Sequence, residues 1–319
     1  MTIVAASARH ALKGTKLTIT DAVILANPIR CELGEGPVWD PTRQVVLWVD
    51  IRRGLVFSGR LDAHGRISDV EHVPFPGTVG AVAVAEDGSW IVAAAETLLV
   101  HPAAGSTREL VRVIRAGQLR RTNDGKPDPA GRFLIGTLSL GDDSQNEVLV
   151  RLERDGSLTT IDDDLTLSNG LAWSPDGSVL YSVDTLRRVV FARSYDMATG
   201  ATGERRALIE FADGFPDGMC SDADGYLWIA MWGLGEVRRY TPEGEHERTI
   251  RVPAPHVSSV AFAGESLDTL VITTATQDLT DEQLAAYPLS GKLFTARPGV
   301  RGLPVPPWSG VAENEKETP

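Results

Sequence analysis

The 319-residue chain has only two cysteines, Cys31 and Cys220, and no Cys-x-x-Cys pair. That leaves no basis for a disulfide framework or a dithiol redox motif, and two buried thiols are the plain reading. It also fits a reducing compartment. Positive charge is in deficit: 31 Lys and Arg stand against 43 Asp and Glu, a formal net charge of −12. Nucleic-acid binding relies on clustered Lys and Arg that release counterions from phosphates, so this balance argues against such a partner. Long apolar runs are missing too, since none approaches the roughly 20 residues of a membrane helix. Residues 1–20 carry Arg9, His10 and Lys13 within their short apolar stretch, unlike a secretory signal. Together these absences predict a soluble, cytoplasmic protein without a membrane partner. No Pro-rich or Gly/Ser-rich linker divides the chain, and Gly233-Leu234-Gly235 lacks the strand-to-helix setting and the Lys of a phosphate loop.

What the chain does have is a repeat. Asn169-Gly170 is followed, after an apolar run, by Pro175-Asp176-Gly177. Asp217-Gly218 leads in the same way to Asp224-Gly225, Asn123-Asp124-Gly125 to Gly131, and Glu35-Gly36 to Asp40-Pro41-Thr42-Arg43. The polar residue precedes the turn position by eight each time (169 to 177, 217 to 225, 123 to 131, 35 to 43). A recurring offset marks a repeat architecture. Each turn is followed by a β-rich run, such as Leu47-Trp48-Val49-Asp50 or Leu227-Trp228-Ile229-Ala230, and there are six of these. A third run and then a polar, alternating outer strand follow, as in Arg108 to Val113. Turn positions 43, 88, 131, 177 and 225 are spaced by 45, 43, 46 and 48 residues, one four-stranded antiparallel unit per period.

Six such units predict an all-β fold, a six-bladed β-propeller that hides its sheet edges by radial repetition. Only five units have an outer strand next in sequence. Residues 16–25 offer a free strand, so they are expected to close blade six beside residues 292–296. The domain reading is a flexible segment 1–15, a propeller 16–303 and a flexible tail 304–319. Thr280-Asp281-Glu282-Gln283 is a capping-box pattern that predicts one short helix ending before Pro288.

In a propeller the innermost strands line the axis, so residues at one offset converge on a central site. The converging set is Glu35, Asn123, Asn169 and Asp217, with Gly80 leaving open space in blade two and Ser258 or Ser259 matching loosely in blade six. Carboxylate and amide oxygens without Cys or His suit a hard divalent cation, Ca²⁺, Mg²⁺ or Mn²⁺ ahead of a structural zinc. An Asn-Gly step taken singly is most often a turn. Here the second turn signal already closes the hairpin, which leaves the first step at the strand entrance. Arg121 would reach over the same mouth as a hook for hydroxyls or carboxylates. His256 precedes the inner strand of blade six, facing the pore or serving as a surface cap. Most tryptophans read as inter-blade core, with Trp232 a candidate for the rim, and residues 139–146 form either a lid or a plain loop.

At these residues the chain resembles the regucalcin and gluconolactonase family of sugar-lactone lactonases. The resemblance rests on Gly34-Glu35-Gly36-Pro37-Val38-Trp39, Arg121-Thr122-Asn123-Asp124-Gly125-Lys126, Ser168-Asn169-Gly170-Leu171 and Pro216-Asp217-Gly218-Met219-Cys220, and it covers nearly everything from Cys31 onward. It implies one divalent metal held by Glu35, Asn169 and Asp217, with Ca²⁺ first and Mg²⁺, Mn²⁺, Zn²⁺ or Fe²⁺ as alternatives. It further implies that Arg121 and Asn123 contact sugar hydroxyls and that Asp217 also serves as base. The expected activity is metal-dependent hydrolysis of an aldonolactone to the aldonic acid. The alternatives are a calcium-binding regulatory or scaffold propeller, and a hydrolase of other esters or organophosphates. The segment 139–143 departs from the family pattern, so substrate preference does not carry over, whereas 280–289 looks more like bacterial aldonolactonases and favours a catabolic enzyme.

Overall fold

A computed structural model describes residues 22–141 and 146–312. These residues form six four-stranded antiparallel sheets. The inner strands are Gly34–Asp40, Val79–Val84, Arg120–Pro127, Ser168–Trp173, Phe215–Ser221 and Val257–Ala263. Neighbouring inner strands pack on one another around the ring, which makes the architecture a six-bladed propeller. Outer strands such as His246–Arg251 are polar and largely exposed, whereas inner strands such as Ser168–Trp173 are buried throughout. The core therefore lies between blades. Trp48 and Trp228 are fully buried there, and Trp228 meets Phe262 of the next blade edge to face at 6.0 Å.

Blade six is completed by the amino-terminal strand Ile24–Asn27, which pairs with Leu293–Ala296 in the register Ile24 to Thr295 and Leu25 to Phe294. The part of the expected closing strand before residue 22 lies outside the described residues, as do 142–145 of the 139–146 loop. The capping box forms: Thr280 accepts from Gln283 N at the start of the helix Asp281–Ala286.

Two expectations change. Residues 304–312 do not hang free as a tail. Trp308 is 3% exposed in the core of blades two and three, its N–H donates to Val84 O at 2.8 Å, and its carbonyl accepts from Glu86 N at 3.1 Å. Burying so large an aromatic outweighs the entropy of ordering the short stretch that carries it. Upstream, Gly302 N donates to Leu267 O and Ala223 N to Arg301 O. The segment between these anchors is a strap from blades five and six to blades two and three. Gly80, in turn, leaves no open space at the axis. A Cβ there would stand 2.3 Å from Asn123 O and 2.8 Å from Thr122 O, so the missing side chain lets the next inner strand approach.

Candidate functional site

The pairing of each inner strand with its neighbour shifts register at one level of the ring. The shifts fall at Glu35/Val38, Val79/Ala81, Thr122/Gly125, Asn169/Leu171, Pro216/Met219 and Val257/Ser259. A bulge re-aims side chains that regular alternation would send to opposite faces. This explains why Asn-Gly and Asp-Gly steps sit inside strands rather than in turns. The glycines after Asn169 and Asp217 also admit the adjacent blade: a Cβ on Gly170 would stand 2.5 Å from Asp217 O, and one on Gly218 2.8 Å from Ser259 Cα.

Glu35, Arg121, Asn123, Asn169 and Asp217 line one cavity of about 270 Å³. All five are 5–6% exposed. A hydrogen-bond chain joins three of them. Arg121 Nη1 donates to Asn123 Oδ1 at 2.7 Å, Asn123 Nδ2 to Asn169 Oδ1 at 2.9 Å, Asn169 Nδ2 to Thr185 Oγ1 at 2.9 Å, and Thr185 Oγ1 to Pro216 O at 2.8 Å. Arginine can only donate and a carbonyl can only accept, so the two ends fix the direction of the chain and the orientation of both amides. Asn123 Nδ2 also donates to Ser168 O at 2.9 Å. Both of its amide hydrogens are therefore committed, and Asn123 can meet a ligand only as an acceptor.

The electrostatics are set by burial of like charges. Burial pushes the Glu35 carboxyl up to about 8, helped by Asp124 and opposed by the Gly36 N–H, Arg121 and Ser259. Asp217 is held well above the carboxylate range by burial, then by Glu35 and Asp124, against Arg121 and the Gly218 N–H. Burial lowers the Arg121 guanidinium to about 10, with Glu35 and Asp217 acting against it. Asp124, which sequence reasoning noted only as part of a motif, is a third carboxylate of this group. Burial raises its pKa and Lys126 counters. Lys126 Nζ donates to Leu171 O at 2.7 Å and Met219 O at 2.9 Å from two other blades. Three carboxylates thus face two cations. Adjacency to Asn123 in the bulged strand was the only available signal for Asp124, and none existed for Thr185.

This set fits a divalent cation. Among the described residues no three His, Cys, Asp or Glu side chains gather as a metal cluster. The expected set is instead two carboxylates and an amide. Its carboxylates are deprived of water and short of positive charge, and the relay fixes which way the Asn169 amide is turned. Hard oxygen donors with excess negative charge suit a hard cation whose remaining positions take water. Beyond the axis, Asp124, Lys126 and Ser259 line a second cavity of about 160 Å³ together with Leu303, Val305, Pro306 and Pro307 of the strap.

The rim of the site carries Leu186, Phe215, Trp232, Gln277 and Asp278. Trp232 is at the rim as anticipated. His256 does not reach the cavity; it stacks on the Trp232 indole at 4.1 Å with the planes 14° apart.

Residues 33–276 match the family described as SMP-30/Gluconolactonase/LRE-like region. The chain belongs to this family. It is 36% identical over 282 residues to the 6-deoxy-6-sulfogluconolactonase of Pseudomonas putida, covering 87% of this chain and 95% of that protein. It is 34% identical over 285 residues to regucalcin of Danio rerio, covering 88% and 95%. Among solved structures, the calcium-binding protein regucalcin from Agrobacterium tumefaciens superimposes with a TM-score of 0.83 at 28% identity, over 89% of this chain and 96% of that one.

Proposed function

We propose that this protein hydrolyses a sugar lactone, an aldonolactone, to the aldonic acid, with Glu35, Asn169 and Asp217 as ligands of one divalent ion, Ca²⁺ in the first instance. The observation that carries this reading is the convergence of two buried carboxylates, a direction-fixed amide and a buried arginine in one cavity of a chain from the gluconolactonase family. The ion, when bound, supplies Lewis-acid polarisation of the lactone carbonyl. Asp217 is the base: its carboxylate takes a proton from the water that attacks the carbonyl carbon. The ring C–O bond then breaks, and the departing oxygen takes up the proton that Asp217 removed from the water. Arg121 holds substrate oxygens through the part of its fork not committed to Thr122 O and Asn123 Oδ1, and its charge compensates Glu35 and Asp217. Asn123 accepts from a hydroxyl and keeps Asn169 in place. Orientation of this kind lowers the entropic part of the barrier.

Turnover of a panel of aldonolactones, with and without chelator, tests the proposal. Loss of hydrolysis on chelation and its return with the ion are expected. Calcium binding with no turnover of any lactone would replace it by a regulatory calcium-binding role, the property named for the Agrobacterium regucalcin. Turnover that survives complete chelation would overturn the metal part alone.

A further inference from the structure

Five non-glycine residues take a left-handed backbone among the described residues: Gln44, Asp69, Arg188, Leu267 and Asp278. Of these, only Asp278, with φ 61°, lies on the wall of the site cavity. A residue with a Cβ is disfavoured in this region relative to glycine, and strain of this kind collects where function needs a particular side chain. The turn itself is held by backbone: Leu279 N donates to Thr276 O at 3.2 Å, and Thr276 N and Gln277 N donate to Glu32 O at 3.0 and 2.9 Å. The exposed Asp278 carboxylate accepts from the adjacent Gln277 Nε2 at 3.0 Å and acts through its charge on His256, and among the described residues it takes no hydrogen bond from a distant group.

Trp232 stands on the same wall. The His256 ring lies flat on one face of the indole, and Gln277 O holds His256 Nδ1 at 2.9 Å. Gly233 N and Gly235 N both donate to Pro255 O, which fixes the two segments to each other. His256 occupies one face of the indole, and what Trp232 offers to the cavity is the rest of its ring. The indole is thereby held as a rigid shelf with a carboxylate and an amide beside it. A flat apolar face next to hydrogen-bonding groups that can accept from hydroxyls matches a polyol, which has a C–H face and an O–H edge.

We propose that Trp232 and Asp278 form a specificity subsite for the hydroxyl-bearing part of the substrate. The indole packs against its C–H face, and Asp278 accepts hydrogen bonds from its hydroxyls. This inference rests on the reading of the cavity as a sugar-lactone site, and it selects polyhydroxylated lactones over bare cyclic esters. His256 is a positioning residue for the shelf.

The decisive variant is Asp278→Gly, which removes the carboxylate and relieves the backbone at once. Its Tm should hold or rise. Its kcat/KM for glucono-δ-lactone should fall roughly 10-fold relative to δ-valerolactone, mostly through KM, as expected for one hydrogen bond to a charged group. Trp232→Ala should raise KM for gluconolactone, and Trp232→Phe should restore most of the loss. Calorimetric binding of gluconate to wild type and Asp278→Gly gives a readout independent of turnover. If wild type hydrolyses neither lactone yet gluconate binds more weakly to Asp278→Gly, the subsite stands and the hydrolytic reading falls. Hydrolysis with unchanged selectivity in Asp278→Gly and Trp232→Ala overturns the subsite alone. A lower Tm for Asp278→Gly would show that the acid serves the turn, which also overturns it. Absence of both turnover and gluconate binding in wild type overturns both readings.

Discussion

Replacing Glu35 by Gln should stabilise the metal-free protein above neutral pH and destabilise the metal-loaded one. In the metal-free state the Glu35 carboxyl is pushed from 4.5 to about 8, chiefly by burial. The native state therefore holds a proton that the unfolded chain releases above 4.5. Stability falls as pH rises through this window, and the protonated carboxyl's advantage is gone above about 8. At about 1.4 kcal/mol per pH unit, the loss between these limits is about 5 kcal/mol at most. Gln keeps an oxygen to accept from Gly36 N, as Glu35 does at 2.9 Å, but it carries no charge to repel Asp217. With chelator present, urea melts at several pH values should show the wild type losing more stability from pH 5 to 8 than Glu35→Gln, whose remaining slope comes from the buried Asp217 and Asp124. With calcium at about 100 times its Kd the wild type should regain about 2.7 kcal/mol, and the variant much less. Parallel pH curves for the two proteins would refute the burial argument, and a wild type indifferent to chelation would remove Glu35 from any metal site.

Asp217→Asn should lower kcat by roughly 10²–10⁴-fold, whereas Arg121→Ala should act largely on KM; steady-state kinetics that reverse this order would give the central role to Arg121. Thr185→Val removes the hydroxyl that accepts from Asn169 and donates to Pro216 O. Metal affinity by calorimetry should drop roughly 10–100-fold, as for other groups that orient a ligand, with only a small change in metal-free stability. Trp308→Ala should cost about 3–5 kcal/mol in denaturant melts by leaving a cavity between blades two and three, while KM at the site stays unchanged.

The ring, and the convergence of Glu35, Asn123, Asn169 and Asp217 on one cavity, were legible because a repeat turns spacing into geometry: an offset of eight before each turn becomes one level on the axis, and Arg121 stands two residues before Asn123. The sequence also marked the closing strand, through a sixth unit lacking an outer partner. What was hidden depended on contacts across blades. Gly80 read as empty space because nothing in its own strand shows that Asn123 O fills the place of its Cβ. Thr185 gains its role only through Asn169 and Pro216, which are brought together by packing. Trp308 looked like part of a tail because a lone tryptophan after Pro304, Pro306 and Pro307 carries no periodicity. Asp278 gave no signal either, since a left-handed turn that would ordinarily favour glycine is invisible where the residue is an acid.

The pairing of Leu25 with Phe294 also sets a schedule for synthesis. The strand made first must wait for a partner 269 residues later (294 − 25), which at roughly 5–20 residues per second is on the order of 15–50 s. Blades one to five can each form from contiguous chain as it emerges, but the ring cannot lock until the last blade is out. Throughout that interval Ile24–Asn27 is an unpaired strand. The nascent chain is therefore most exposed to strand exchange with a second copy at Ile24–Asn27, and the same late pairing commits this strand and the last blade to a single unfolding unit once the ring has closed.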